Sequence, residues 1–212
     1  MSLSIRDGLE QAPPRARAAM SSPDYWGQCF AEHRALLDRC DAELAETMDD
    51  VADAVATALK RGNLLMLCGN GGSAADAQHI AAEFTVRFVK DRRALRAMPL
   101  ATDCSALTAT GNDLGFEKVF SRQVEALGRP GDILIGITTS GSSLNVLAAF
   151  DAARAAGMTS VAFTGQGGGA AASRADHLLA VPSATTARIQ EMHILLGHVL
   201  CGAVERQLEL PA

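Results

Sequence analysis

The stretch from Leu64 to Glu83 constrains the fold more than any other part of the chain. Leu64-Leu65-Met66-Leu67-Cys68 is an apolar run of strand length, it stops at Gly69-Asn70-Gly71-Gly72-Ser73, and a helix-forming segment follows at once. Four further short apolar runs occur at 97–101, 132–138, 159–164 and 177–182, with helical segments near 73–88, 115–127, 142–156 and 186–209. Strands that are apolar on both faces and separated by helices predict a parallel sheet covered on two sides. Right-handed crossovers gather the strand C-terminal ends on one edge, where open α/β sheets bind ligands. Residues 62–212 therefore read as one α/β domain.

Before that domain, Phe30, Leu36, Leu37, Leu44, Met48, Val51 and Val55 recur at three- and four-residue spacing. The spacing predicts one or two amphipathic helices over 25–61, started by Ser22-Pro23-Asp24 and stopped by Gly62. Residues 1–24, rich in Pro, Arg and Ala, read as a mobile arm. Net charge is −5 without a basic cluster, which argues against nucleic acid or an anionic membrane as partner. A phosphorylated substrate stays compatible, because backbone amides and a local arginine hold a phosphate without global positive charge. The five cysteines lack paired spacing, and with no signal peptide or membrane span the expected compartment is the cytoplasm.

Two strand-to-helix turns carry anion-binding chemistry. Gly69-Asn70-Gly71-Gly72-Ser73 is the first, and Thr138-Thr139-Ser140-Gly141-Ser142-Ser143 is the second. Hydroxyls, free amides and the helix dipole together suit a phosphoryl group. Such residues also serve as plain N-caps and turns, but two loops of this kind on one sheet edge favour the anion site. Gly69-x-Gly71-x-x-Ala74 meets the loose dinucleotide fingerprint, with Asp91 near the ribose distance, but Arg92 and Arg93 follow Asp91 where a strand end is needed. Gly165-Gln166-Gly167-Gly168-Gly169 lacks hydroxyls and reads as a flexible connector.

His79 and Glu83 lie at i, i+4, on one helix face, with Arg87 a further turn along. An imidazole and a carboxylate suit zinc, although two ligands do not complete a site. Gln190, His193 and His198 stand in the apolar closing helix and need partners there. Gln190 and His198 are roughly 12 Å apart along such a helix. One small ion touches both only with each side chain near full stretch; either the helix bends, or His198 reaches the site of another subunit. His193 reads more simply as a core histidine bonded to a backbone carbonyl. Gly111-Asn112-Asp113 follows an apolar segment and precedes a helix, where an N-cap role is equally open.

Together these motifs resemble the sugar isomerase (SIS) domain, and within it the bacterial phosphoheptose isomerases, over about residues 45–208. The resemblance is carried by Gly69-Asn70-Gly71-Gly72-Ser73, His79-x3-Glu83, Gly111-Asn112-Asp113, the 138–143 hydroxyl loop, and Arg188-Ile189-Gln190-Glu191-x-His193 with His198. It implies a flavodoxin-like three-layer sandwich with a central parallel sheet plus N-terminal helices. It also implies a homotetramer with sites at subunit junctions and interconversion of sedoheptulose 7-phosphate and D-glycero-D-manno-heptose 7-phosphate for heptose precursor synthesis. By motif, Glu83 matches the base that moves the proton between C1 and C2, and His198 its partner acid or base. His79, Glu83, Gln190 and His198 match the ligands of one zinc ion per subunit. Asn70, Gly71, Gly72, Ser73, Glu83, Asn112, Asp113, Thr138, Thr139, Ser140, Ser143 and Gln190 match substrate-binding positions, and Arg87 joins them as the phosphate-seeking guanidinium. A metal-bound carboxylate is a weaker base, so Glu83 is expected to coordinate partially or changeably.

In one place the chain departs from the pattern. Ser183-Ala184-Thr185-Thr186-Ala187 contains no carboxylate, whereas relatives can carry an aspartate there. Two other readings share the motifs. One is a non-catalytic SIS-type protein associating with the replication initiator; such proteins lack the histidine that is His198 here and carry an arginine in the hydroxyl loop. The other is an isomerase of another sugar phosphate.

Overall fold

The computed structural model describes residues 23–208, so the arm expected at 1–24 lies almost wholly outside the described residues. The chain begins with α1 (Pro23–Lys60), one uninterrupted helix where one or two were expected. It ends at Lys60, just before Gly62, whose φ of 82° no longer continues a helix. Five strands follow: β1 (Leu65–Gly69), β2 (Ala97–Pro99), β3 (Ile133–Thr138), β4 (Thr159–Thr164) and β5 (His177–Ala180). All neighbours are parallel, in the order β2-β1-β3-β4-β5, which is the flavodoxin-like arrangement. The connecting helices are α2 (Gly72–Thr85), α3 (Cys104–Asp113), α4 (Ser121–Leu127) and α5 (Leu144–Ala155), and α6 (Thr186–Leu208) closes the chain.

Strand alternation divides the core into two. Leu65, Leu67, Ile133, Ile135, Ile137, Val161 and Phe163 face α1, α2 and α6. Met66, Cys68, Leu134 and Ala162 face the opposite layer, with Val124, Val146, Leu147 and Phe150. Because both faces are covered, the strands carry the continuous apolar runs seen in the sequence. Among the described residues no helix is long and apolar enough to cross a membrane.

Three elements depart from expectation. α3 was not anticipated, and Gly111, Asn112 and Asp113 form its last turn instead of preceding a helix. It has no fully buried residue and only Leu107 packs on the core, so its periodicity is weak; the available signal was the N-cap Asp103, which accepts from the Ala106 amide at 2.9 Å. The helix expected near 115–127 is instead a 3-10 turn (Phe116–Lys118), entered through Gly115 (φ 95°), followed by α4 from Ser121. The glycine run at 165–169 is not a free connector. The Gly165 amide donates to Thr139 O at 3.0 Å and the Ala171 amide to Gly141 O at 2.9 Å, binding it to the hydroxyl loop.

α2 and α6 lie side by side and run in the same direction. Gln190 meets Gly72, Gly197 meets Ile80, and Gly202 meets Phe88. On the sheet side of α6, His193 is fully buried; its Nε2–H donates to Thr164 O at 3.0 Å, while Nδ1 has no partner among the described residues. Burial lowers its pKa from 6.5 to about 4, against the opposing pull of that hydrogen bond. The unfolded imidazole thus binds a proton at higher pH than the folded one. Its contribution is fully present above about pH 6.5 and is lost as pH falls to about 4, amounting to about 3 kcal/mol. Urea titrations of wild type and His193→Gln across that window check this; equal pH slopes would contradict it.

Gly136 lies beneath α5, where an added Cβ would collide with the Phe150 ring and sit 2.8 Å from Val146 Cγ1. Gly136→Ala is expected to destabilise by about 1–3 kcal/mol through overpacking. Adding Phe150→Leu should recover part of it in thermal melts, and an unchanged melting temperature in the single variant argues against the packing account.

Candidate active site

Both anion loops stand at the C-terminal edge of the sheet, as parallel topology requires. The first turns tightly because Gly71 takes a φ of 55° and Gly72 leaves room for the Gln190 amide, whose Nε2 would be 2.7 Å from a Cβ there. The second gathers hydroxyls: Thr138 Oγ1 is 3.0 Å from Ser143 Oγ and 3.5 Å from Ser140 Oγ. Thr139 and Ser140 also line a surface pocket with Gln166, Ser183, Thr186 and Ile189. Gly141 (φ 64°) packs directly against the Gly168 carbonyl, which no side chain at 141 would allow. A reciprocal amide pair joins the two loops. Asn70 Nδ2 donates to Asn145 Oδ1 at 2.9 Å, and Asn145 Nδ2 returns the bond to Asn70 Oδ1 at 2.8 Å. Asn145 is 2% exposed and was not anticipated; the signal was a lone amide among Leu144, Val146 and Leu147 at a helix start.

Down the α2–α6 seam, three expected residues meet. His79 Nε2 lies 2.9 Å from His198 Nε2 and 3.5 Å from Glu83 Oε1. The ligand atoms of His79, Glu83 and His198 all lie within 4.8 Å of one another. Two imidazoles and one carboxylate form a donor set that fits zinc. The structure joins His198 to His79 of its own chain. Gln190, at Gly72, stands about 12 Å from His198 along the helix axis and is not drawn into the cluster. The side chain of His79 is 50% exposed and that of Glu83 24% exposed, so the cluster opens to one side of the chain. Phe88 stacks on His198 with ring centroids 5.6 Å apart and an interplanar angle of 21°.

The remaining expected residues are placed differently. α2 ends at Thr85, so the exposed Arg87 lies beyond the helix and the one-face argument stops at Glu83. Asn112 and Asp113 are exposed at the end of α3, with Asn112 Nδ2 donating to Asp113 Oδ1 at 2.7 Å. Asp76, a turn before His79, has one buried carboxylate oxygen without a partner among the described residues. Burial raises its pKa, partly offset by His79. The Cys68 and Cys201 thiols are pushed up to about 12, burial being the leading cause, so neither supplies a thiolate near neutrality.

What ends α2 is a buried ion pair that was also not anticipated. Arg92 and Glu205 meet at 2.8 Å, with side chains 2% and 3% exposed. Burial pushes the Glu205 carboxyl up, but the amides of Lys90, Phe88 and Val89 and the Arg92 guanidinium outweigh it and hold its pKa below the usual value. The signal was a carboxylate in the last turns of an apolar helix, where the helix dipole disfavours it.

Comparison with known proteins agrees with this geometry. The SIS domain family model matches residues 28–165. A phosphoheptose isomerase of Burkholderia pseudomallei is 56% identical over 168 residues, covering 79% of this chain and 85% of that protein. The structure of a phosphoheptose isomerase from Neisseria gonorrhoeae superposes with a TM-score of 0.83 at 45% identity, covering 87% of this chain and 98% of that one. One from Francisella tularensis gives 0.85 at 36% identity, with 88% and 100% covered. In fold, in motifs and over most of its length, the chain belongs to the SIS-domain family of sugar-phosphate isomerases, and within it to the phosphoheptose isomerases.

Proposed function

We propose that this enzyme interconverts sedoheptulose 7-phosphate and D-glycero-D-manno-heptose 7-phosphate through an enediol, in the cytoplasm. The observation that carries the reading is the meeting of Glu83 and His79, on a helix whose own N-terminus opens from a glycine turn, with the imidazole of His198 on α6. In the ketose-to-aldose direction, the Glu83 carboxylate takes a proton from C1 while His198 protonates the C2 carbonyl oxygen. The proton held by Glu83 then returns to C2, and the O1 proton passes back to His198. The step exchanges protons only and needs no redox partner. Asn70 to Ser73 and Thr138, Thr139, Ser140 and Ser143 hold the sugar phosphate, the hydroxyl loop taking the phosphate itself. Arg87, Asn112, Asp113 and Gln190 complete the substrate contacts.

His79, Glu83 and His198 would hold one zinc ion per subunit, whose chemistry would be to polarise a substrate oxygen, with Glu83 and His198 released from it when they act as base and acid. Gln190 stands about 12 Å from His198 along α6, so it would complete the set with both side chains near full stretch or from a neighbouring subunit. This supports a homotetramer with sites at subunit junctions, residues 62–212 forming the isomerase unit and 25–61 packing the subunits. Tyr25, Trp26 and Phe30 are 57–63% exposed on α1, which suits that role.

With sedoheptulose 7-phosphate as substrate, Glu83→Gln and His198→Gln are each expected to lower turnover by about 10²–10⁴-fold. Unchanged turnover in both would remove the mechanism, and activity indifferent to exhaustive chelation would remove the zinc. In size-exclusion chromatography with light scattering the protein should elute as a tetramer; an active monomer would sink the shared site.

A further inference from the structure

We infer that the buried Arg92–Glu205 pair is a positioning device for the acid–base cluster, holding the main chain of Glu83 and, through Phe88, the ring of His198. The inference rests on the roles given to Glu83 and His198 above.

A helix leaves its last carbonyls without internal partners, and the last turn of α2 contains no basic side chain of its own. Arg92 supplies the missing donors from outside. Its Nη2 donates to Glu83 O at 2.7 Å, and its Nη1 donates to Phe84 O at 2.9 Å and to Arg93 O at 3.1 Å. The remaining Nε donates to Glu205 Oε1 at 2.8 Å. Because the guanidinium is a rigid planar fork, these bonds fix the helix end in direction as well as distance.

Glu205 does the same for the chain that follows. Its two oxygens accept the amides of Phe88, Val89 and Lys90 at 3.0, 3.1 and 3.1 Å. The segment is thereby wrapped around one carboxylate, and that wrapping lays the Phe88 ring on the imidazole of His198. Glu205 stands on α6 two turns beyond His198, so one anchor fixes both walls of the cluster. Stability alone does not call for this arrangement. A buried ion pair is often no better for stability than well-packed apolar side chains. Apolar side chains could fill the space, but they could not hold the Glu83 carbonyl or the Phe88 amide.

The test uses the full chain, sedoheptulose 7-phosphate and three variants: Arg92→Lys, which keeps the charge and loses the fork, Arg92→Met, which loses both, and Phe88→Leu, which leaves the pair intact. In variants with wild-type circular dichroism, kcat should fall about tenfold or more while KM stays within about threefold, since displacements near 1 Å can cost about 10²-fold. Arg92→Lys should retain more activity than Arg92→Met, and the pH–kcat profile of Phe88→Leu should shift from that of wild type. A folded Arg92→Lys and Phe88→Leu, both with kcat within twofold of wild type, would overturn the inference. So would a loss confined to KM. If the Arg92 variants do not fold, Phe88→Leu decides alone by the same thresholds. Wild-type protein inert toward sedoheptulose 7-phosphate would remove the proposed reaction and this inference with it, whereas an active wild type with unaffected variants removes the positioning role alone.

Discussion

The close, parallel packing of α2 on α6 is the constraint on which the site depends. Helix separation is set by the side chains at the contact, and here α6 presents Gly197 to Ile80. With no side chain at 197, the helices come near enough for His79 and His198, on either side of that contact, to reach 2.9 Å. Gln190 at Gly72 and Gly202 at Phe88 continue the seam in both directions. A larger residue at 197 would push α6 outward and separate the imidazoles, although it touches neither of them.

The second constraint is the edge of the parallel sheet. β1 and β3 are neighbours, so their C-terminal turns emerge side by side, and the Asn70–Asn145 pair joins them. The glycines at 141 and 168 let the β4 turn press against the hydroxyl loop. Three successive turns thus form one rigid rim. A rim of amides, hydroxyls and helix N-termini binds an anion locally even though the chain carries a net charge of −5.

The features legible in the sequence were those with a period or a punctuation. β1, β3 and β4 could be read because burial on both faces made each a continuous apolar run, and the half-buried edge strands β2 and β5 because short apolar runs mark them too. The Gly69–Ser73 turn and the i, i+4 pair at His79 and Glu83 were visible because local spacing alone defines them. α3 was not visible, since Cys104–Asp113 has no fully buried residue and contains Thr, Gly, Asn and Asp, which are weak helix formers. The end of α2 was misplaced by a few residues because it is set by Arg92 and Glu205, which are 113 positions apart. Asn145 was missed for the same reason, its partner lying 75 positions away. Pairings over such separations leave no periodic trace. The place of His198 was not legible: spacing left open whether it served its own chain or another, and only the tertiary packing joined it to His79 of its own chain.

The geometry also limits how one substrate meets both parts of the site. His79 lies seven residues into α2 beyond Gly72, about 10 Å along the axis from the glycine turn. A seven-carbon sugar phosphate held at the rim would have to extend down the helix to bring C1 and C2 to Glu83. Within one chain the cluster is open, with half of the His79 side chain exposed to solvent. On the proposed reaction, an enediol formed there would exchange protons with water before returning them to carbon. A neighbouring subunit would close that face and could bring Gln190 to the open side of the cluster. On that proposal the exposed histidine and the distant glutamine would be two signs of one arrangement, in which the complete catalytic unit would be larger than the fold that positions it.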